Sequence, residues 1–527
     1  MKHLIDEGNI FIGIEFGSTR IKGVLCDQWG TVLATGGFNW ENRLENGIWT
    51  YGSDQIFEGL QSCYADLLRN VKERYGTVIK KAKGIGISGM MHGYIALDKE
   101  KQVLAPFRTW RNNITQKEAS KLTQLFQYNI PQRWSVAHLY QAVLNQESHL
   151  KQVDYVTTLA GYIHYLLTGE KVMGIGEASG MFPIDPKAKA FQQQMIEQFD
   201  TLMAGHDCDL KCADIFPKVL CAGEPAGFLT QEGASLLDTS GNLEAGIPLC
   251  PPEGDAGTGM VATNSVRAKT GNISAGTSAF AMLVLEKELS ALHEEIDIVA
   301  TPNGNLTAMA HSNNCTTEIN AWVSLFGEVL SAFGHETDTG TLYETLFQKA
   351  EQGDFDCGDL LAYGFHSGEH LMNLSKGCPM LLHAPDASFN LANLMRVQIY
   401  TAFGALKTGL DILKNEEHVT AEVITGHGGI FKTKGVAQKI LASAINTPVA
   451  VNETAGEGGA WGIAVLAAYL EKAKENLSLE DYLDDLMAKN SKVDVIAPDA
   501  EISKGFDAFM ENYRKFLSAE RECVSQM

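Results

Sequence analysis

Short apolar runs separated by small-residue turns open the chain. Residues 10–15 and 21–26 have the length and composition of buried strands, and residues 31–35 predict a third strand after a turn at 27–30. The next apolar positions recur at helical spacing, with Ser53 or Asp54 as the expected N-cap. They are Ile56, Leu60, Cys63, Tyr64 and Leu67. The pattern predicts an α/β domain that begins with a β-meander.

The same strand, turn, strand pattern returns about half a chain length later. Residues 271–275 lead into the turn 276–278, and residues 280–285 follow as a second apolar run. A repeat at this distance favours two related domains. Proline and glycine cluster at 247–259, so we expect one domain over 1–257 and a second over 258–527. Residues 477–490, with a capping-box pattern at Ser478, predict a surface helix.

Composition narrows the class of protein. The 527 residues are 45% hydrophobic and carry a net charge of −22, with no basic stretch that would bind nucleic acid or an anionic membrane. The ten cysteines form no CxxC pair, which favours a reducing compartment over a disulfide framework. Since the sequence has neither a signal-peptide core nor an apolar run of membrane-spanning length, we expect a cytoplasmic protein without a membrane partner.

Two turns combine glycine with hydroxyl side chains. They read Gly17-Ser18-Thr19 and Gly276-Thr277-Ser278. Successive backbone N–H groups and hydroxyl donors at such a turn suit a phosphate, and Lys22 would add positive charge beside the first. The competing interpretation is an ordinary hairpin turn, because these residues dominate turns for conformational reasons.

Two further segments are rich in small residues. Asp255 follows Glu253-Gly254 and could act as a general base or help to hold Mg²⁺, although a solvated acidic turn has the same local sequence. Further on, a strand enters a glycine-rich loop and a helix leaves it. The residues of interest there are Gly426, Gly428, Gly429 and Gln438. Such glycines allow close approach of a ligand or close helix–strand packing.

A third group has the character of a carbohydrate site. Met91 and His92 lie between two apolar runs, and Trp110, Arg111 and Asn112 follow shortly after. An aromatic face beside a guanidinium and amides suits a polyhydroxylated ligand. A buried core histidine is the alternative interpretation of His92.

Several catalytic classes are disfavoured. The G-x-G-x-x-G match at 84–89 is followed by an apolar run instead of a helix, so the dinucleotide context fails. His206, Cys208 and Cys212 lack a second ligand pair for zinc, and His293 lacks the partner histidine of a zincin. Neither a nucleophile elbow nor a Walker A loop occurs.

The order of these segments resembles the FGGY carbohydrate kinases, a family within the actin-like ATPase superfamily. The matching segments are residues 14–22, 154–169, 177–180, 254–255, 274–278, 365–369, 425–429 and 457–464. The resemblance implies an α/β fold of two actin-like (ribonuclease H-like) ATPase domains with a deep interdomain cleft. It also implies ATP and Mg²⁺ as cofactors.

The resemblance further implies a role for each candidate residue. Asp255 would deprotonate the sugar hydroxyl, and Glu15 would help Asp255 to hold Mg²⁺ through water. Both hydroxyl-glycine turns and Lys22 would bind the ATP phosphates, and the glycine-rich loop with Gln438 would bind adenosine. Met91 and His92 resemble the sugar-binding element of xylulokinases, which Trp110, Arg111 and Asn112 would complete.

Two departures from the family pattern bear on the substrate. Glu15 stands where the family usually has Asp, and the run Trp110-Arg111-Asn112 replaces the Trp-Asn-Asp of xylulokinases. The resemblance implies a kinase acting on the 5-hydroxyl of a ketopentose such as D-xylulose or L-ribulose, and these departures make L-ribulose a competitor of D-xylulose. Another ketose or a polyol is an alternative substrate, and a non-sugar actin-like ATPase or a sugar sensor is an alternative function. The expected partners are the sugar and ATP, and a homodimer is left open.

Overall fold

The computed structural model describes residues 1–206, 208–452, 458–490 and 493–527. The strands are β1 (Phe11–Phe16), β2 (Arg20–Cys26), β3 (Val32–Asn39), β4 (Arg43–Glu45), β5 (Ile48–Thr50), β6 (Gly84–Gly89), β7 (Ile95–Leu97), β8 (Tyr155–Thr157), β9 (Val172–Gly174), β10 (Ile184–Asp185), β11 (Ala190–Phe191), β12 (Lys218–Leu220), β13 (Glu253–Gly254), β14 (Thr270–Ala275), β15 (Ala279–Val284), β16 (Ile296–Ala300), β17 (Leu306–Ser312), β18 (Leu360–Tyr363), β19 (Met380–His383), β20 (Val423–His427), β21 (Val449–Asn452) and β22 (Val493–Ile496).

The helices are α1 (Lys2–Asp6), α2 (Ser53–Tyr75), α3 (Gln116–Phe126), α4 (Ser135–Leu144), α5 (Leu159–Thr168), α6 (Ile175–Ala178), α7 (Gln193–Ala204), α8 (Cys212–Ile215), α9 (Gln231–Leu237), α10 (Asp255–Ala262), α11 (Thr317–Ala332), α12 (Thr339–Ala350), α13 (Leu391–Asn415), α14 (Val436–Ile445), α15 (Gly458–Ala473), α16 (Leu479–Asn490), α17 (Ala500–Lys515) and α18 (Leu517–Gln526). None of the helices in the described ranges is long and apolar enough to cross a bilayer.

The chain forms two compact units. The first comprises Met1–Arg267, Asp297–Thr307 and Thr454–Ser491, and the second comprises the remaining segments. Residues 247–259, where proline and glycine cluster, therefore lie inside the first unit, and β13 pairs there with β6. The domain division after residue 257 stays a prediction, since units defined by compactness need not coincide with sequence domains.

Each unit contains a sheet of the same design. In the first, the strand order is β13-β6-β1-β2-β3, with β1 antiparallel to β2 and parallel to β6. In the second, β17, β15, β14, β20, β21 and β22 follow one another, with β14 antiparallel to β15 and parallel to β20. In both sheets, therefore, the first strand of an antiparallel hairpin also pairs in parallel with a third strand: β1 with β6, and β14 with β20. This confirms the predicted α/β class and the repeat, and it agrees with an actin-like architecture.

Helix α15 packs closely on the first sheet because β1 and β6 have glycines where they contact it. A Cβ at Gly13 would lie 2.1 Å from the Ala460 carbonyl, and one at Gly86 would lie 2.6 Å from Ile463. Gly86 belongs to the G-x-G-x-x-G match, so that glycine permits helix–strand contact. This confirms that the match is not a dinucleotide loop.

The starts of two helices test the capping predictions. The N-cap of α2 is Gly52, and Ser53 is already the first helical residue, so the predicted cap was wrong by one position. The capping signal near the end of the chain is confirmed, because the Ser478 hydroxyl accepts the Asp481 N–H at 3.1 Å at the start of α16.

Candidate active site

The first hydroxyl-glycine turn joins β1 to β2 and is supported by aromatic side chains. The Gly17 N–H donates to the Arg20 carbonyl at 3.1 Å, which closes the turn. The carbonyls of Gly17 and Ser18 accept bonds from the Trp40 indole at 2.7 Å and the Tyr51 hydroxyl at 2.6 Å, and these two rings stack at 4.1 Å. These bonds fix the backbone of the turn, and because the Gly17 N–H is used within it, the hydroxyls of Ser18 and Thr19 are its candidate donors to an anion.

The second turn repeats this arrangement between β14 and β15. The Gly276 N–H donates to the Ser278 carbonyl at 2.9 Å. The Gly276 carbonyl accepts the Thr316 N–H at 3.0 Å and its hydroxyl at 2.8 Å, and the Thr277 carbonyl accepts the Cys315 N–H at 2.9 Å. In each turn, therefore, two carbonyls are bonded by neighbouring segments, which fixes the backbone of the turn.

The glycine-rich loop lies against the end of β14, beside the second turn. Gly428 has φ +111°, and a Cβ there would lie 2.2 Å from the Ala275 carbonyl. A Cβ at Gly426 would meet the Phe431 ring at 2.9 Å, whereas Gly429 faces open space. Packing thus explains Gly426 and Gly428, and Gly429 is the glycine at which a ligand has room.

Gln438 uses both of its amide hydrogens inside the second unit. Its Nε2 donates to the Val449 carbonyl at 2.9 Å and to the Asp494 carbonyl at 3.0 Å, which ties α14 to β21 and β22. Its expected contact with adenosine stays a prediction, which would have to be made by the Oε1 atom. Glu457, which begins the second half of the expected adenosine motif at 457–464, lies outside the described residues.

Asp255 is the first residue of α10 and contacts the expected sugar-binding element. Its Oδ1 accepts the Met91 N–H at 3.0 Å and the Ala256 N–H at 3.0 Å. Burial raises the pKa of Asp255, and these N–H donors partly oppose the rise. The structure therefore brings together Asp255 and Met91, which are far apart in sequence, and it excludes the alternative of a solvated acidic turn.

Glu15 lies opposite Lys22 in the β1–β2 ladder and is half-buried. Burial first, and then the charge of Asp255, raise the pKa of Glu15 to about 7, against the opposing effects of Lys22 and the Ala460 N–H. A Cβ at Gly459 would lie 2.3 Å from Glu15 Oε1, so the glycine gives the carboxylate room in its present position. Two neighbouring carboxylates that repel each other form a site that a cation would stabilise.

Sequence reasoning assigned no role to two buried carboxylates beside Asp255. Glu253 accepts the N–H groups of Gly176 at 3.2 Å and Glu177 at 2.8 Å, and burial raises the pKa of Glu253 to about 8. Glu177 is fully buried, and a Cβ at Gly254 would lie 2.3 Å from its Oε2. Burial raises the pKa of Glu177 well above its ordinary range. The small residues around Glu253 and around Glu177 were the sequence feature that could have indicated a role for these acids. The sequence did not show that the two carboxylates come together beside Asp255, because that depends on tertiary packing.

His92 is buried and has a left-handed backbone. Its φ is +73°, and Gly93 follows with φ +93°, where a Cβ would lie 2.6 Å from the Arg108 carbonyl. The His92 Nδ1 lies 3.2 Å from the Gly180 carbonyl, and its ring is nearly parallel to Trp134 with centroids 6.4 Å apart. Burial fits the alternative of a core histidine, while strained backbone of this kind clusters at functional sites.

The residues after Arg108 divide into exposed and buried side chains. Trp110 is 37% exposed, and its indole donates to the Ser18 hydroxyl at 3.1 Å, which links this segment to the first turn. Arg111 lies over the Trp49 ring at 3.9 Å. Asn112 is 1% exposed, and its Nδ2 donates to the carbonyls of Trp49 at 2.8 Å and Thr109 at 3.0 Å. We therefore correct the expected role of Asn112: its amide holds the loop and does not reach a ligand.

In the part of the chain that the structure describes, no group of three or more histidine, cysteine or acidic side chains could hold a metal alone. Glu15 and Asp255 would accordingly share a cation with water and substrate oxygens. Mg²⁺ is commonly bound in this way, by one or two carboxylates together with phosphates.

Comparisons with known proteins identify the architecture. The model for the N-terminal domain of the FGGY family of carbohydrate kinases matches residues 10–261, and the model for its C-terminal domain matches residues 271–471. The chain is 22% identical over 466 residues to a xylulose kinase of Haemophilus influenzae, with 86% of this chain and 89% of the relative covered.

Solved structures show the same fold. A ligand-bound xylulose kinase from Lactobacillus acidophilus has a TM-score of 0.79 at 15% identity and covers 97% of this chain and 99% of its own. A glycerol kinase from Plasmodium falciparum with ADP has a TM-score of 0.73 at 14% identity and covers 98% of each chain.

Proposed function

Since the chain belongs to the FGGY family of carbohydrate kinases, we propose that it transfers the γ-phosphoryl group of ATP to the 5-hydroxyl of a ketopentose such as D-xylulose or L-ribulose. One observation carries the proposal: Asp255 Oδ1 accepts the Met91 N–H at 3.0 Å. The expected base thereby contacts the expected sugar-binding element within one compact unit.

Asp255 is the general base of the proposed reaction. It accepts the proton of the sugar hydroxyl while that oxygen bonds to the γ-phosphorus and the bond to ADP breaks. The N–H groups of Met91 and Ala256 and the N-terminus of α10 stabilise the anion and fix its direction. Phosphoryl transfer depends mainly on positioning and charge neutralisation, so one oriented carboxylate suffices.

Mg²⁺ fits the acidic residues of the first unit. Burial and then the charge of Asp255 raise the pKa of Glu15 to about 7, and a divalent cation would relieve the repulsion that Asp255 contributes. When bound, Mg²⁺ would neutralise charge on the ATP phosphates. Glu15 would hold it through water, and Lys22 opposite Glu15 would contribute further positive charge.

The second unit would bind ATP through its hydroxyl-glycine turn and the glycine-rich loop beside it. In that turn the Gly276 carbonyl accepts the Thr316 hydroxyl at 2.8 Å, and the hydroxyls of Thr277 and Ser278 are the donors that we assign to phosphate oxygens. Gly429 gives space for the nucleotide, and the ADP complex of the glycerol kinase supports the choice of nucleotide.

A ketopentose agrees with the xylulose kinase name of the Haemophilus influenzae relative. His92 and Trp110 are the side chains that we assign to the sugar, while Arg111 is held by Trp49 and Asn42 at the edge of the same segment. A polyol or another ketose is the second candidate substrate, because a glycerol kinase has the same fold over nearly the whole chain.

A substrate panel tests the proposal. ADP release is measured with Mg-ATP and each of D-xylulose, L-ribulose, ketohexoses, glycerol and other polyols, and the product is identified by ³¹P NMR. We expect a ketopentose 5-phosphate as the best product. ATP turnover that does not depend on any sugar would indicate a different actin-like ATPase, and the absence of any phosphosugar would contradict a kinase.

A further inference from the structure

The buried Arg108 forms an ion pair with the half-buried Glu147 next to the two segments that we assign to the sugar, and the proposed reaction does not use this pair. Arg108 is 4% exposed, and its Nη2 donates to Glu147 Oε2, while its Nη1 donates to the His138 carbonyl at 3.3 Å. The guanidinium also lies 5.3 Å from the centre of the Tyr94 ring. Arg108 therefore contacts three separate parts of the first unit.

The backbone of the same arginine joins the two segments directly. The Tyr94 N–H donates to the Arg108 carbonyl at 2.8 Å, and the Arg108 N–H donates back to the Tyr94 carbonyl at 3.1 Å. Tyr94 comes two residues after His92, and Arg108 comes two residues before Trp110. Any shift of this bridge would change the spacing between His92 and Trp110.

A second set of side-chain bonds connects Tyr94 to the partner of Arg108. The Tyr94 hydroxyl lies 2.8 Å from His149 Nε2, and His149 Nδ1 lies 3.4 Å from Glu147 Oε2. Glu147 thus binds Arg108 directly and reaches Tyr94 through His149. Both residues of the backbone bridge are held by the same carboxylate.

Stability alone explains such a pair poorly, because burying the Arg108 charge costs much of what its attraction to the half-buried Glu147 provides. What the arginine provides is fixed geometry. A guanidinium bonds to two acceptors in one plane, and an ammonium group cannot reproduce this arrangement. We propose that Arg108, paired with Glu147, is the positioning residue that sets the spacing of the segments carrying His92 and Trp110, and thereby the affinity for the sugar. This inference rests on the proposed sugar kinase function.

Steady-state kinetics of Arg108→Met and Arg108→Lys test the inference. We expect Arg108→Met to raise the KM for the sugar by about tenfold or more while the KM for ATP changes by less than about twofold, because only the sugar segments lose their spacing. Arg108→Lys keeps the charge but loses the second bond, so its sugar KM should fall between those of the wild type and Arg108→Met.

Lys171→Met is the matched control, since Lys171 forms a partly buried ion pair with Asp154 in the same unit, at the starts of β8 and β9. We expect it to lower the melting temperature without changing the sugar KM. If Arg108→Met changes only the melting temperature, or raises both KM values equally, the positioning role is wrong. Should Arg108→Met fail to fold, Glu147→Gln decides by the same KM criterion.

Hydrogen–deuterium exchange separates this inference from the proposed function. Faster exchange confined to residues 91–94 and 108–112 in Arg108→Met, relative to Lys171→Met, supports the positioning role even if the wild type phosphorylates none of the sugars tested. Unchanged exchange in both segments contradicts it. Lack of phosphosugar from the wild type contradicts the kinase assignment alone.

Discussion

Asp255 and Asp185 both accept backbone N–H groups, yet their pKa values move in opposite directions. Bonds from Ala188 and Lys187 lower the pKa of Asp185, which is solvated, whereas burial raises the pKa of Asp255 despite its two donors. The same kind of hydrogen bond therefore leaves a carboxyl with a lowered pKa when it is solvated and with a raised pKa when it is buried. A carboxylate with a raised pKa beside oriented donors is suited to proton transfer.

Asp255→Asn tests the base at this scale. The amide oxygen can still accept the Met91 N–H, so the fold and ligand binding should persist, while the group can no longer take a proton. We expect kcat to fall by about 10²- to 10⁴-fold with nearly unchanged KM values, measured by ADP release at saturating Mg-ATP. A variant that keeps most of its turnover, with an unchanged melting temperature, would contradict the assignment.

Asn112 and Gln438 show that the type of a residue does not reveal which groups its side chain bonds. Both are polar side chains in segments with ligand-binding character, and both use their amide hydrogens on backbone carbonyls. Sequence spacing reports which residues are near each other along the chain. It does not report which acceptor a side chain reaches first.

At the scale of elements, the two hairpins follow local rules that the sequence displays. Apolar runs of strand length around a glycine-hydroxyl turn predicted β1–β2 and β14–β15, and both pairs are present. The predicted passage from a strand through a glycine-rich loop into a helix is also confirmed, as β20 leads through residues 428–435 into α14. These elements are predictable because they depend on residues close together in the chain.

Gly428→Ala tests how the loop is fixed on β14. A left-handed φ costs a non-glycine residue about 1–3 kcal/mol, and here the added methyl group would also collide with the Ala275 carbonyl. We expect a lower melting temperature and a higher KM for ATP, measured by calorimetry and by initial rates.

Gly435→Ala is the matched control, since Gly435 has φ +84° and open space around its Cβ position. It should show the cost of the backbone conformation without the collision. If both substitutions have equal effects, close approach to β14 does not govern the loop.

At the scale of the whole molecule, long-range contacts join segments that no local pattern connects. Glu417, after α13, accepts the N–H groups of Ser290 at 2.6 Å and Ala291 at 3.1 Å, and it lies 2.6 Å from His293 Nε2. His293, which does not fit a zincin, thus has a structural partner more than a hundred residues away. Burial opposes ionisation of Glu417, but these donors hold its pKa at about 2.

Glu417→Gln should alter acid stability in a defined direction. Because the pKa of folded Glu417 lies below its ordinary value of 4.5, its contribution to stability is complete above pH 4.5 and is lost as the pH falls towards about 2. We expect the variant to melt at a lower temperature at pH 7 and to lose less stability than the wild type on acidification.

Glu422→Gln is the control for this prediction, because Glu422 is an exposed carboxylate between α13 and β20. It should melt like the wild type at each pH. Equal pH profiles for Glu417→Gln and the wild type would show that Glu417 does not link these segments.

The sequence by itself determined the α/β class, the repeated hairpins and the glycine-rich loop, because each depends on neighbours along the chain, whereas the base role of Asp255 came from the family resemblance and stays a proposal. Only the tertiary structure decided that Met91 bonds to Asp255, that Glu177 and Glu253 lie buried beside it, and that Arg108 bonds both to the backbone of Tyr94 and to Glu147. These contacts form between segments that are distant in the chain. Their packing sets the distances between the side chains, how deeply each is buried and which charges lie next to one another.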